Sequence, residues 1–120
     1  MRGARPGFLT KMLFLNAGLV LWAAHFGFVY GLTGVVCARG LGTAWPAAVP
    51  FVVAFATVVA AGLSLVVLFA AVLGRGPGIA GEPDPALRVF WRSVTGGVAV
   101  FGFVAIVWSG LPAVLIRPCA

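Results

Sequence analysis

Acidic residues are all but missing from this sequence. Glu82 and Asp84 are the only carboxylate side chains in 120 residues, and both lie in one Gly/Pro-rich stretch. Histidine occurs once, at His25, and cysteine twice, at Cys37 and Cys119. That scarcity removes the usual means of catalysis: no dispersed acid–base pairs, no Ser–His–Asp set and no cluster of metal ligands. Charge of either sign is also rare. Only 8% of residues are charged and 62% are apolar, whereas a soluble domain carries about 25% charged residues. With a mean hydropathy of +1.17, a soluble globular fold is excluded.

What is there instead is long apolar sequence. Asp, Glu, Lys and Arg are absent from 12–38, 40–74 and 93–116, runs of 27, 35 and 24 residues. About 20 apolar residues suffice to cross a hydrocarbon core as a helix. An open sheet would leave backbone donors and acceptors unpaired in lipid, and three segments cannot close a barrel. The sequence therefore predicts an all-α membrane protein of three transmembrane helices, spanning about 9–37, 47–73 and 85–116. No linker or repeat divides it, so residues 1–120 read as a single membrane domain. The apolar run of the first span is about twice a signal-peptide core, which marks it as retained.

The net charge of +6 reads as a topology signal. Arg2, Arg5 and Lys11 precede the first span, and Arg75, Arg88 and Arg92 flank the connection between the second and third. Only Arg39 and Arg117 fall on the other side. The positive-inside rule then places the N-terminus in the cytoplasm and the C-terminus in the periplasm of a bacterial inner membrane. Cations scattered over loop ends do not suit nucleic acid. The connection at 74–85 is dense in helix breakers and ends in Asp84-Pro85, a good N-cap followed by a good first helical residue. Trp45, Trp91 and Trp108 fit interfacial anchoring.

Inserted helices associate by close packing of small residues. Three stripes offer such surfaces: Ala23, Gly27, Gly31 and Gly34 on the first helix, Ala56, Ala60 and Ser64 on the second, Ser93 and Gly97 on the third. Gly102 and Gly110 lie further along the third. With so little extramembrane mass, the expected partners are lipids and other membrane subunits, with no soluble substrate.

His25, near the middle of the first span, shares a face with Gly18, Leu21, Trp22, Val29 and Leu32. Three roles suit it: a hydrogen bond to a neighbouring helix, ligation of a haem or chlorophyll-type pigment, or proton transfer. No carboxylate stands within the spans to relay a proton. A six-coordinate haem held by this chain alone is excluded, because no second ligand lies within reach. Cys37 and Cys119 both emerge on the outer side, where a disulfide, free thiols or a metal site can be drawn, the last poorly supported without nearby His or Met.

The pattern Trp22-x-x-His25-Phe26-x-x-x-Tyr30-Gly31, then Cys37, then Leu111-Pro112-x-x-Leu115-x-x-Pro118-Cys119 resembles small three-span membrane proteins associated with proteobacterial haem-copper cytochrome c oxidase. It covers both ends of the chain and little of the second helix. The resemblance implies a non-catalytic accessory or assembly subunit of a respiratory terminal oxidase, with the paired cysteines as a shared feature. The alternative is a pigment- or haem-binding subunit of a photosynthetic or electron-transfer complex, using His25.

Overall fold

The computed structural model describes residues 7–40 and 48–115, and within them the chain is all-helical. Four helices follow one another: α1 (Phe8–Leu15), α2 (Ala17–Ala38), α3 (Ala48–Val72) and α4 (Pro85–Leu115). The last three are each long and apolar enough to cross a membrane. At 1.5 Å per residue they run about 33, 37 and 46 Å, beyond the roughly 30 Å core. The expected second and third spans, 47–73 and 85–116, agree with α3 and α4 to within a residue.

The first span differs. A single helix over 9–37 is expected, but the chain breaks at Asn16 into α1 and α2. The Asn16 side-chain amide donates to the Met12 carbonyl at 3.1 Å, and its backbone N–H reaches the same oxygen at 3.0 Å. The backbone bond is the ordinary ladder bond; the added side-chain bond back to the carbonyl four residues earlier competes with it and bends a helix. The backbone at Asn16 sits at φ −99°, ψ 17°, off the helical values on both sides.

The three spans form a flat layer. The Cα envelope measures 57 × 28 × 14 Å, thinner than a rounded bundle of helices 8–10 Å apart would be. The α3–α4 contact is the broadest, α2–α4 comes next and α2–α3 is the narrowest. Two glycines explain how closely α2 and α4 approach. A methyl group on Gly102 would lie 2.7 Å from both the carbonyl carbon and Cα of Gly18, and one on Gly18 would lie 2.8 Å from the Ala99 Cα. The two backbones touch there, and only hydrogen fits between them.

Each end of the layer is closed differently. At one end, residues 73–84 fold back onto the start of the first span. Gly74 donates to Ala71 at 3.1 Å and Arg75 to Ala70 at 2.8 Å, the paired bonds that terminate a helix through a left-handed glycine; Gly74 has φ +75°. The Ile79 side chain is fully buried. Gly76 lies against the Phe14 ring and Gly78 against Trp91 and Lys11. Asp84 then opens α4, its Oδ1 accepting from the Ala86 N–H at 3.0 Å, as the sequence predicts. At the other end Val29 and Val36 of α2 pack on Val49 and Val53 of α3, joined by Ala113 and Val114 of α4. The start of the first span and the end of the third thus lie at opposite ends of the layer. Much of the remaining apolar surface faces outward; Phe101 and Trp108 are 76% and 78% exposed, an arrangement suited to lipid and costly in water.

Candidate functional site

Four polar side chains of the spans, His25, Thr57, Trp22 and Ser109, meet at one junction of α2, α3 and α4. His25 is 4% exposed and its Nε2 lies 2.8 Å from Thr57 Oγ1 on α3. Thr57 in turn donates its hydroxyl hydrogen to the Val53 carbonyl at 2.8 Å. A hydroxyl has one hydrogen to give, so toward the ring Thr57 accepts and His25 donates from Nε2. That bonding pattern assigns the tautomer, with Nδ1 left as a bare acceptor. Nδ1 is buried and has no hydrogen-bond partner among the described residues.

α4 completes the junction. A methyl group on Gly110 would collide with Thr57 Oγ1 and sit 2.8 Å from its Cγ2. Gly110 therefore leaves the space that Thr57 occupies, and through Thr57 it places the partner of His25. One residue earlier, Ser109 Oγ accepts from the Trp22 indole N–H at 3.3 Å. Each of the three helices contributes, and apart from His25 Nδ1 the polar groups of the junction bond to another helix or to their own backbone. Further along, Ser64 of α3 donates to the Ala99 carbonyl of α4 at 2.7 Å. Interhelix bonds of this kind average about 0.6 kcal/mol in membrane proteins, so their main effect is to fix register. Thr95 Oγ1 is buried without a partner among the described residues, and the structure suggests no role for it.

The expected face of α2 is largely present: Gly18, His25 and Val29 are buried, with Leu21, Trp22 and Leu32 half-buried. Beside it, an apolar groove of about 350 Å³ runs between α2 and α3, lined by His25 together with residues such as Leu21, Phe28, Phe55 and Leu63. Nε2 is held by Thr57, and Nδ1 is buried with its lone pair unused among the described residues, so axial ligation of a haem or pigment would fall to Nδ1 and require the groups around it to move. Among the described residues, no three His, Cys, Asp or Glu side chains gather where a metal ion could be held.

The small-residue stripes divide. Ala60 and Ser64 are buried and Ala56 half-buried, so this stripe of α3 packs within the layer. Ala23, Gly27, Gly31 and Gly34 do not pack there. All four are exposed, and methyl groups on the three glycines would meet no atom within 4 Å. Ser93 and Gly97 of α4 are exposed in the same way. The close contacts inside this chain fall instead at Gly18, Gly102 and Gly110, which leaves those two stripes for lipid or another helix. The physical reason is register: the His25 side of α2 turns inward, which carries the opposite glycine side out.

Trp91 is half-buried against Gly78 and so clamps the 73–84 connection as well as marking a helix end. Trp108 is fully outward on α4. On α2, Trp22, Phe26 and Tyr30 stack in sequence, with centroid separations of 5.4 and 4.4 Å. Cys37 lies in the last turn of α2, at the end away from the 73–84 connection. Cys119 and Trp45 lie outside the described residues.

Sequence reasoning does not reveal one further contact. Arg92 of α4 reaches across to the end of α3, its Nε donating to the Ala71 carbonyl at 3.1 Å and an Nη to that of Val72 at 2.7 Å. Both carbonyls belong to the last turn of a helix, where a cation is favoured; that of Ala71 also accepts from the Gly74 N–H. The only advance signal is an Arg two turns into one helix opposite the end of another. Compared with protein-family models, with curated proteins and with solved structures, the chain matches none.

Proposed function

We propose that this chain is a non-catalytic subunit that packs laterally against other helices in a membrane respiratory complex, a terminal cytochrome c oxidase, and contributes to its stability or assembly. The observation that carries the lateral role is the outward glycine face of α2. Ala23, Gly27, Gly31 and Gly34 run along more than two turns with no side-chain relief and no neighbour within the chain. In lipid such a face gains little by itself, whereas a partner helix can approach it closely. The bonds of Trp22 to Ser109, His25 to Thr57 and Ser64 to Ala99 support the same reading, since they hold the three helices in register. The choice of an oxidase as the complex rests on the resemblance of the Trp22–Tyr30 and Leu111–Cys119 patterns.

In this reading the chain is a multi-pass protein of the bacterial inner membrane. The end carrying Lys11, Arg75, Arg88 and Arg92 faces the cytoplasm, and the Cys37 end faces the periplasm. A Cys37–Cys119 disulfide on that oxidising side would tie the ends of the first and third spans. The decisive experiment is gentle solubilisation of the native membrane and identification of what co-purifies. Oxidase subunits should be recovered with the wild-type chain and lost with Gly27→Leu or Gly31→Leu, while the isolated variants keep their helix content. Recovery of a homo-oligomer alone, or of oxidase subunits undiminished by both substitutions, would overturn the proposal.

A further inference from the structure

We infer that the end of the layer carrying the 73–84 connection holds an anionic phospholipid by its headgroup, in the niche beside Arg92. The niche has a volume of about 240 Å³ and is lined by Ala71, Val72, Val89, Arg92 and Ser93. Two of the five guanidinium N–H donors of Arg92 are committed to the Ala71 and Val72 carbonyls, which leaves three. Those two bonds hold the side chain in place, so its remaining donors are presented without the rotamer freedom a surface arginine ordinarily loses on binding.

Charge complementarity specifies the occupant. Lys11, Arg75, Arg88 and Arg92 gather at this end, against Glu82 and Asp84. Both acids bond to the backbone beside the start of α4: Glu82 Oε2 accepts from the Asp84 N–H at 3.3 Å, and Asp84 Oδ1 from that of Ala86; the four cations still outnumber them. Arg88 lies one helical turn from Arg92 and donates to the Glu82 carbonyl at 3.0 Å. Like charges four residues apart repel mildly, and an anion bound at Arg92 relieves that repulsion. Basic pockets between helices at the membrane surface recognise lipid phosphates by this chemistry. The walls suit the rest of the molecule: Val72 and Val89 are 57% and 60% exposed and continue onto the apolar side of the layer, where an acyl chain can lie. The Ser93 hydroxyl lines the same niche and supplies a donor to a phosphate oxygen.

The test uses the full chain in neutral detergent, with phosphatidylglycerol or phosphatidylcholine of matched acyl chains, and native mass spectrometry to count retained lipid. Phosphatidylglycerol should be retained about fivefold over phosphatidylcholine, as one favourable cation–headgroup contact allows. Arg92→Gln and Ser93→Leu should each remove that preference, and Arg39→Gln, at the opposite end of the layer, should leave it. Ser93→Leu keeps the Arg92 bonds to α3 and so decides the matter if Arg92→Gln does not fold. Inorganic phosphate at equal concentration should not displace the lipid. Equal retention of the two lipids, an equal loss in Arg39→Gln, or displacement by inorganic phosphate would each overturn the inference.

Discussion

Substituting Gly102 tests the packing directly, because the close approach of α2 and α4 depends on it. A β-carbon there would sit 2.7 Å from two backbone atoms of Gly18, whereas carbon atoms prefer about 3.5–4.0 Å. The obstacle is backbone, so no side chain can swing aside. One helix must retreat by about 1 Å, and a gap of that size forfeits a quarter to a half of each dispersion contact along the seam. Overpacking of this kind costs about 1–3 kcal/mol, and Gly102→Ala belongs at the upper end. Gly27→Ala adds the same methyl to open space and replaces a poor helix former by the best one, a gain of about 0.5–1 kcal/mol where exposed. The two identical changes should therefore move stability in opposite directions. Reversible unfolding in mixed detergent micelles, followed by circular dichroism, measures both. If Gly102→Ala proves as well tolerated as Gly27→Ala, the α2–α4 crossing drawn here is wrong.

Thr57→Val should destabilise the chain by about 1–3 kcal/mol, because it strands a buried imidazole N–H, while Thr57→Ser should lie near wild type. Nitrogen NMR of labelled His25 should find the hydrogen on Nε2; finding it on Nδ1 would break the Val53–Thr57–His25 chain of bonds. Gly110→Ala should mimic Thr57→Val in the same unfolding assay, since the added methyl displaces the threonine; a neutral effect would contradict the junction. A visible spectrum of the purified chain should show no haem or pigment band, and an absorption abolished by His25→Ala would reverse that conclusion. For the cysteines, intact mass should rise by two hydrogens on reduction, and Cys37→Ser should abolish the rise.

The spans were legible residue by residue because the bilayer sets a local rule. An uncharged apolar run of sufficient length becomes a helix whatever its neighbours do, so α3 and α4 can be read almost to their ends. Capping is local too, and Asp84-Pro85 marks the start of α4 without reference to anything distant. The break at Asn16 is local in cause but not in pattern, because an asparagine inside an apolar helix is as compatible with an unbroken ladder.

Which side of each helix turns inward is another kind of question. Gly18, Gly27, Gly31, Gly34, Gly97, Gly102 and Gly110 carry the same chemistry, and spacing alone favours Gly27-x-x-x-Gly31 as a contact. Packing selects Gly18, Gly102 and Gly110 instead, because close approach is a property of two surfaces in register. The same holds for His25. Its place in the middle of a span follows from counting residues, and its need for a polar partner follows from its burial in an apolar segment. That the partner is Thr57, seated in the space left by Gly110 and bonded back to Val53, is decided only when all three helices are laid side by side. Solvent preference acts on each segment separately and can be summed along a chain; steric fit and directional bonding exist only between segments, and tertiary structure is where they are chosen.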